Sequence, residues 1–301
     1  MNTLISIIGP TASGKTSLAL ELAEKFGCPI LSCDSRQFYR EMPIGTAAPS
    51  LEEQRRARHY FVGHIGVEEP YSIGAYEKDA LEKIQELFKM HSTLVLVGGS
   101  MMYEKAVIQG LHPLPAANAQ NQEKLLALWQ KEGLGALQNL LHSLDPIYSS
   151  KVDLQNPRRL LRAIDLIWQT GQSYTSLLKQ TRPQRDFRVV RIGMQLERQL
   201  LYERIEQRVD QMIAQGLLGE VEALLPYREL QALNTVGYRE LFPYLLGETT
   251  LKHAVEEIKK NTRRFAKRQL TWYRGEEDIH WVTPPQTFFN AQKILENLRI
   301  G

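Results

Sequence analysis

Short, densely apolar runs alternate with longer amphipathic stretches through the first third of the chain. Leu4 to Ile8 is an apolar, β-rich run that stops at Gly9. Thr16 to Phe26 then carries helical spacing, closed by Gly27 and Pro29. Ile30 to Cys33 is a second short run ending in Asp34, and Leu94 to Val97 a third ending in Gly98 and Gly99. Between them, Ala75 to Met90 reads as a helix. Strands alternating with helices predict an α/β fold with a mostly parallel sheet and flanking helices. Such sheets bind ligands beyond the carboxyl ends of their strands. The segments after those ends, residues 9–16, Asp34 and Ser100, are therefore candidates for one site despite their separation in sequence.

The pattern changes after GLHPLPAAN, residues 110–118. From Gln120 to Gln180 the periodicity is helical, as in Leu160, Leu161, Ile164, Leu166 and Ile167. DFRVVRIGM, residues 186–194, reads as a strand returning to the sheet. Arg198 to Leu225 and Thr250 to about Trp272 read as two long helical segments. Periodicity weakens after Gly275, where Pro284–Pro285 falls. The expected division is a first core part at 1–115, an inserted all-helical domain at 116–184, and core completion with basic helices at 185–301.

Composition narrows the class without deciding the partner. A chain of 301 residues, 43% hydrophobic and 24% charged, suits a globular core. The formal net charge of +3 leaves any nucleic-acid argument to local clusters. Cys28 and Cys33 have no C-x-x-C spacing and no nearby His, which predicts two buried free thiols in a reducing compartment. No run approaches the ~18 apolar residues of a membrane span, and the start lacks a basic leader. A cytoplasmic protein with no membrane partner is expected, with a monomer as the default.

The first candidate site is IIGPTASGKTSL, residues 7–18. Gly9, Gly14, Lys15 and Thr16 fit G-x-x-x-x-G-K-[ST], the P-loop pattern associated with ATP-binding proteins. Its glycines permit a compact turn whose N–H groups face an anion at the start of a helix. Lys15 adds a mobile cation, and Thr16 a hydroxyl suited to Mg²⁺. The acid that a nucleotide kinase places after another strand is missing at Gly98–Gly99–Ser100. This leaves room for diphosphate as the bound group.

In CDSRQFYREMPIGTA, residues 33–47, Asp34 follows a strand directly. It either caps a turn or accepts a proton at a reactive centre, helping most as charge develops on an attacking amine. Thr46 in the same stretch is a weaker phosphate-binding candidate. In GGSMMY, residues 98–103, two glycines permit close approach and Ser100 offers a hydroxyl to a leaving oxygen; a plain strand-to-helix turn fits equally well.

Three basic clusters follow. Arg158 and Arg162 share a helical face beside Arg159; Arg204 and Arg208 align similarly, among Glu203, Glu206 and Asp210. Residues 252–274 hold eight Lys or Arg and only two Glu. There Lys260, Arg264 and Arg268 recur at i+4, as do Arg263 and Lys267, with Trp272 and Tyr273 able to stack on a base or pack inward. Cations beside aromatics suit a single-stranded RNA loop, although a solvated basic helix is the simpler alternative.

Taken in order, GPTASGKTSLA, CDSRQFY, IGTA, GGSMMY, NPRRLLRAIDL, GLLGEVEAL, TVGYRE and TRRFAKRQLTW resemble the tRNA dimethylallyltransferase family, also called tRNA isopentenyltransferases. The resemblance spans residues 4–274. It implies a P-loop-kinase-like core with a helical insertion. It further implies transfer of a dimethylallyl group from dimethylallyl diphosphate to N6 of adenine 37, in a tRNA anticodon stem-loop with A36-A37-A38. By the same resemblance Asp34 is the general base, Ser100 the hydroxyl assisting the diphosphate, and Arg204 the stabiliser of the departing group, with Arg208 beside it. Gly9, Thr11, Ala12, Ser13, Gly14, Lys15 and Thr16 fall in the donor loop, with Mg²⁺ at Thr16. Asp34, Ser35, Arg36 and Gln37 match one tRNA-contact stretch, and Arg158, Arg159 and Arg162 another. Asn234, Gly237, Tyr238 and Arg239 match a third; Arg264, Lys267, Arg268, Gln269, Trp272 and Arg274 lie in or beside a fourth. The chain has Ser100 where the family more often has Thr, and Ala48 where many relatives have Lys. Rival readings are an adenylate isopentenyltransferase, a small-molecule P-loop kinase and a non-catalytic RNA-binding switch.

Overall fold

The computed structural model describes residues 1–300. The chain divides into two compact units, one formed by residues 1–108 with 185 onward, the other by residues 109–184.

In the first unit, β1 (Thr3–Ile8) leads into α1 (Lys15–Phe26) and β2 (Ile30–Ser32). Then follow α2 (Leu51–Arg56), β3 (His59–Tyr60), α3 (Ile73–Leu87), β4 (Thr93–Val97) and α4 (Met101–Gln109). The second unit contains α5 (Ala119–Glu132), α6 (Leu134–Leu144), the short α7 (Pro146–Ser149), α8 (Pro157–Thr170) and the short α9 (Tyr174–Leu177). The chain re-enters the first unit with β5 (Arg188–Met194), α10 (Arg198–Ala214), α11 (Leu217–Ala223) and α12 (Tyr238–Leu245). The long α13 (Leu251–Arg274), β6 (Ile279–Val282) and α14 (Thr287–Asn297) complete it.

The six strands form one sheet in the order β3-β2-β4-β1-β5-β6, and every pair is parallel. Leu4, Ile5, Ile7 and Ile8 have no exposed surface, because β1 lies between β4 and β5 with helices over the sheet. Burial of each such side chain is worth about 1.5–3 kcal/mol. The order places β1, β2 and β4 side by side, so the P-loop, Asp34 and Ser100 leave one edge of the sheet together. A second core joins the sequence around Met42 to α10–α13 through Val209, Leu217, Tyr238 and Ile258.

Three segments differ from the sequence reading. The helix expected from Arg198 to Leu225 breaks between α10 and α11 at Gly216, whose φ of 101° is left-handed. The region after Gly275 is structured: β6 pairs with β5, and α14 buries Ala291 and Leu295. The edge strand β3 is only two residues long, too short for a hydrophobic pattern to register. The two cysteines are free and buried, as expected. Burial pushes the Cys28 thiol up to about 11 and the Cys33 thiol well above its ordinary value.

The second unit is all helical, with Leu125, Leu137, Leu141, Leu160 and Ile164 at its centre. Asn118, Asp145 and Asn156 cap α5, α7 and α8. Buried Asp165 receives hydrogen bonds from Asn121, Arg162 and Gln169. Arg162 is thus committed internally, also donating to the Pro115 carbonyl at 2.5 Å. Arg158 and Arg159, by contrast, are exposed. No helix among the described residues is long and apolar enough to cross a membrane.

Candidate active site

The P-loop begins where β1 ends. Ala12 (φ 62°) and Gly14 (φ 93°) both lie in the left-handed region, an alternation that turns successive N–H groups toward one concavity. Lys15 folds back, its Nζ donating to the Pro10 carbonyl at 2.7 Å. Burial lowers the Lys15 ammonium to about 8; Asp34 opposes this and Arg208 reinforces it. Ser13 Oγ is buried without a hydrogen-bond partner.

Asp34 is half-buried just beyond β2. Its Oδ1 accepts the Arg36 N–H at 3.1 Å, so the carboxylate does fold its own turn, but Oδ2 has no hydrogen bond among the described residues. Ser100 stands at the neighbouring strand end: its Oγ accepts the Ser35 N–H and lies 3.0 Å from Ser35 Oγ. These two turns meet because β4 ends in glycine. A Cβ at Gly98 would fall 2.6 Å from Cys33 Sγ and 2.8 Å from the Asp34 nitrogen.

Thr11, Lys15, Thr16, Asp34, Ser100 and Arg208 line one cavity of about 460 Å³, within the size range of small-ligand sites. Val97, Met101 and Tyr103 add an apolar and aromatic wall, while Asn234, Arg239 and Arg268 reach the same cavity from α12, α13 and the loop before α12. Arg204 stands one helical turn before Arg208; a Cβ at Gly14 would be 3.8 Å from its guanidinium. Burial lowers Arg208 below the ordinary guanidinium value, with Glu53 opposing. Three cations thus gather around the P-loop, an arrangement that calls for an anion.

Other expected contacts have different occupations. Arg36 donates to the Gln231 and Ala232 carbonyls, and Gln37 to those of Thr46 and Ala47. Both still line the cavity. Tyr238 and Gln269 are 0% and 1% exposed: Tyr238 donates its hydroxyl to Glu220, and Gln269, which also lines the cavity, bonds the Thr11 N–H and the Gly99 carbonyl. Tyr273 packs inward as well, and Trp272 is half-buried with Lys105 Nζ 5.6 Å from its ring.

Glu220 is a residue the sequence reading missed. Its carboxylate accepts the Ile44 and Gly45 N–H groups at 2.7 and 2.8 Å and the Tyr238 hydroxyl. It thereby ties the IGTA loop, α11 and α12 together, which explains why three sequence-distant motifs hold acidic, glycine and tyrosine positions. Glu220→Ala leaves three donors without their acceptor, each costing about 1–3 kcal/mol if it stays dry. The expected result is a clearly lower urea midpoint, with the slope of unfolding unchanged.

Charge on α13 is not uniform. Lys259 pairs with Asp210, Lys260 with Glu257, and Arg263 with Glu206. Arg264, Lys267 and Arg268 are exposed and make no ion pair among the described residues. The unneutralised charge therefore lies toward the carboxyl-terminal part of the helix.

A parallel sheet with a P-loop, a carboxylate and a hydroxyl at adjacent strand ends defines an α/β enzyme that handles a phosphorylated substrate. The IPP transferase family model matches residues 37–276. A tRNA dimethylallyltransferase from Christiangramia forsetii is 48% identical over 98% of both chains. The crystal structure of a tRNA isopentenylpyrophosphate transferase from Bacillus halodurans aligns over 99% of this chain and 96% of its own, with TM-score 0.73 and 32% identity. A eukaryotic dimethylallyltransferase acting on tRNA shares the fold at TM-score 0.84 and 23% identity, over 100% of this chain and 80% of its own. The chain belongs to the IPP transferase family, that of the tRNA dimethylallyltransferases.

Proposed function

We propose that the chain transfers the dimethylallyl group of dimethylallyl diphosphate to N6 of adenine 37 in tRNA, giving i6A37 and diphosphate. The observation that carries this reading is the convergence of the P-loop, Asp34 and Ser100 on one cavity with an apolar wall. The diphosphate lies against the P-loop N–H groups, Lys15 and Arg208, with Arg204 at the loop's edge. The allylic chain lies toward Val97, Met101 and Tyr103. Adenine 37 enters from the Arg268 side, leaving its stack at less cost than a duplex base would.

In the reaction, the N6 lone pair forms a bond to the allylic carbon while the carbon–oxygen bond breaks. The bonding electrons leave with the diphosphate, and Asp34 takes the N6 proton. Cations and N–H groups placed where the leaving charge develops stabilise the transition state more than the ground state. Ser100 Oγ donates to the leaving oxygen, with Ser35 as its neighbour.

The described residues contain no cluster of three His, Cys, Asp or Glu suited to a metal. The Thr16 hydroxyl lines the cavity and fits an ion that takes its remaining ligands from phosphate and water, as Mg²⁺ does. Bound there, Mg²⁺ would neutralise diphosphate charge.

The unpaired cations of α13 supply a phosphate-binding edge. Arg264→Ala and Lys267→Ala are each expected to weaken stem-loop binding and to make its salt slope shallower by roughly 0.7–0.9. Lys260→Ala, which removes an ion-paired cation, changes the slope less. Equal slopes for all three variants and the parent would remove α13 from the RNA interface.

The test of the reaction uses radiolabelled dimethylallyl diphosphate with three acceptors. These are a stem-loop carrying A36-A37-A38, the same loop with guanine at position 37, and free AMP. Labelling confined to the first supports the proposal. Preferential labelling of AMP places the chain with the adenylate enzymes, and tight loop binding with no transfer to loop or full tRNA makes it an RNA-binding protein.

A further inference from the structure

Gln269 lies on α13, in the stretch that also carries Arg264, Lys267 and Arg268, yet its side chain is almost fully buried. Its Oε1 accepts the Thr11 N–H at 2.9 Å. Its Nε2 donates to the Gly99 carbonyl at 2.7 Å. Thr11 belongs to the P-loop, and Gly99 immediately precedes Ser100. One amide therefore spans the two loops that handle the diphosphate.

The chemistry of the bridge is directional. The P-loop presents a donor and the β4 turn presents an acceptor, so the bridging group must accept at one end and donate at the other. A carboxylate only accepts, and an aliphatic chain does neither. The space is equally specific: a Cβ at Gly99 would lie 2.5 Å from Gln269 Nε2. The glycine at position 99 thus makes room for the amide, just as Gly98 makes room for the Asp34 turn.

We infer that Gln269 is a positioning residue for the transfer reaction. It holds the P-loop and the Ser100 turn in one geometry and does not itself touch RNA. The inference rests on the reading of these loops as the donor-binding loops. Its consequence is that the helix bearing the free cations also fixes the spacing between the P-loop N–H groups and the Ser100 hydroxyl.

The test uses the full-length chain and the variant Gln269→Met, which keeps a similar side-chain length without either hydrogen bond. Four quantities are measured: the single-turnover rate at saturating donor and stem-loop, the KM for donor, the stem-loop Kd and the urea midpoint. The rate is expected to fall by about 100-fold, the scale of a ~1 Å misplacement, while the stem-loop Kd stays unchanged. Gly99→Ala should lower the rate by displacing the same amide, and combined with Gln269→Ala it should add little to the loss from Gln269→Ala alone. Losses that multiply would overturn the link between the two positions. A weaker stem-loop Kd with an intact saturated rate would make Gln269 an RNA contact. A lower urea midpoint with an intact rate would make it a residue of stability alone. If the unaltered chain fails to transfer, the reading of the loops falls instead, a result distinct from all of these.

Discussion

Asp34→Asn lowers the single-turnover rate of transfer by about 10²–10⁴-fold, the range for loss of a positioned general base, and leaves tRNA affinity nearly unchanged. The substitution is chosen for what it preserves. Asn retains the side-chain volume and an oxygen to accept the Arg36 N–H, so the turn after β2 keeps its fold. It removes the basicity of the second oxygen, which has no hydrogen bond among the described residues and stands in the cavity wall. The N6 amine of adenine is a poor nucleophile until its proton begins to leave, so this loss falls on the chemical step. Filter binding of the stem-loop and rapid-quench transfer separate the two effects. Equal losses in affinity and rate would assign Asp34 to RNA contact or to folding of the turn.

The second large effect is at Lys15. Lys15→Ala removes a cation from the point where diphosphate charge develops, and the expected cost is about 3–4 kcal/mol in the transition state, or several-hundredfold in rate. A proton signature accompanies it. With its ammonium lowered to about 8, Lys15 is roughly half-protonated at pH 8 before the donor arrives. Diphosphate favours the charged form and raises the value, so binding takes up a fraction of a proton near pH 8 and almost none near pH 6. Donor affinity accordingly weakens as pH rises through about 8. Calorimetry in buffers of different ionisation enthalpy reads the uptake, and Lys15→Ala abolishes it. Proton release on binding at pH 8, or the same uptake there in the variant, would contradict this placement of the ammonium.

The convergence of these loops on one cavity was legible from the sequence because its physics is local. A P-loop needs its glycines, lysine and threonine at fixed spacing, and a parallel sheet sends its strand ends to one edge; Gly14, Lys15, Asp34 and Ser100 followed from these rules. The residues that hold the loops together were not legible. Glu220 meets Gly45 across 175 residues, and Gln269 meets Thr11 across 258, so neither pairing leaves a periodic or spacing signal. Gln269 also lies in a stretch of cations and aromatics that reads as RNA-binding, and neither its burial nor its two backbone partners leave a mark on that pattern. The same limit applied to β6. Four residues at a sheet edge, only one of them fully buried, do not produce the pattern that made β1 and β4 evident.

A P-loop that holds the leaving diphosphate of an alkyl donor, not a phosphoryl group in transit, requires the carbon–oxygen bond of the donor to break. This requirement is tested most directly with dimethylallyl diphosphate carrying oxygen-18 at the bridge between the allylic carbon and phosphorus. Reaction with the A37 stem-loop, followed by mass spectrometry of both products, locates the broken bond. All of the label is expected in diphosphate, with an alkylated adenine free of it. Label retained in dimethylallyl alcohol, with a diphosphoryl group on the acceptor, would show cleavage at phosphorus and contradict that requirement.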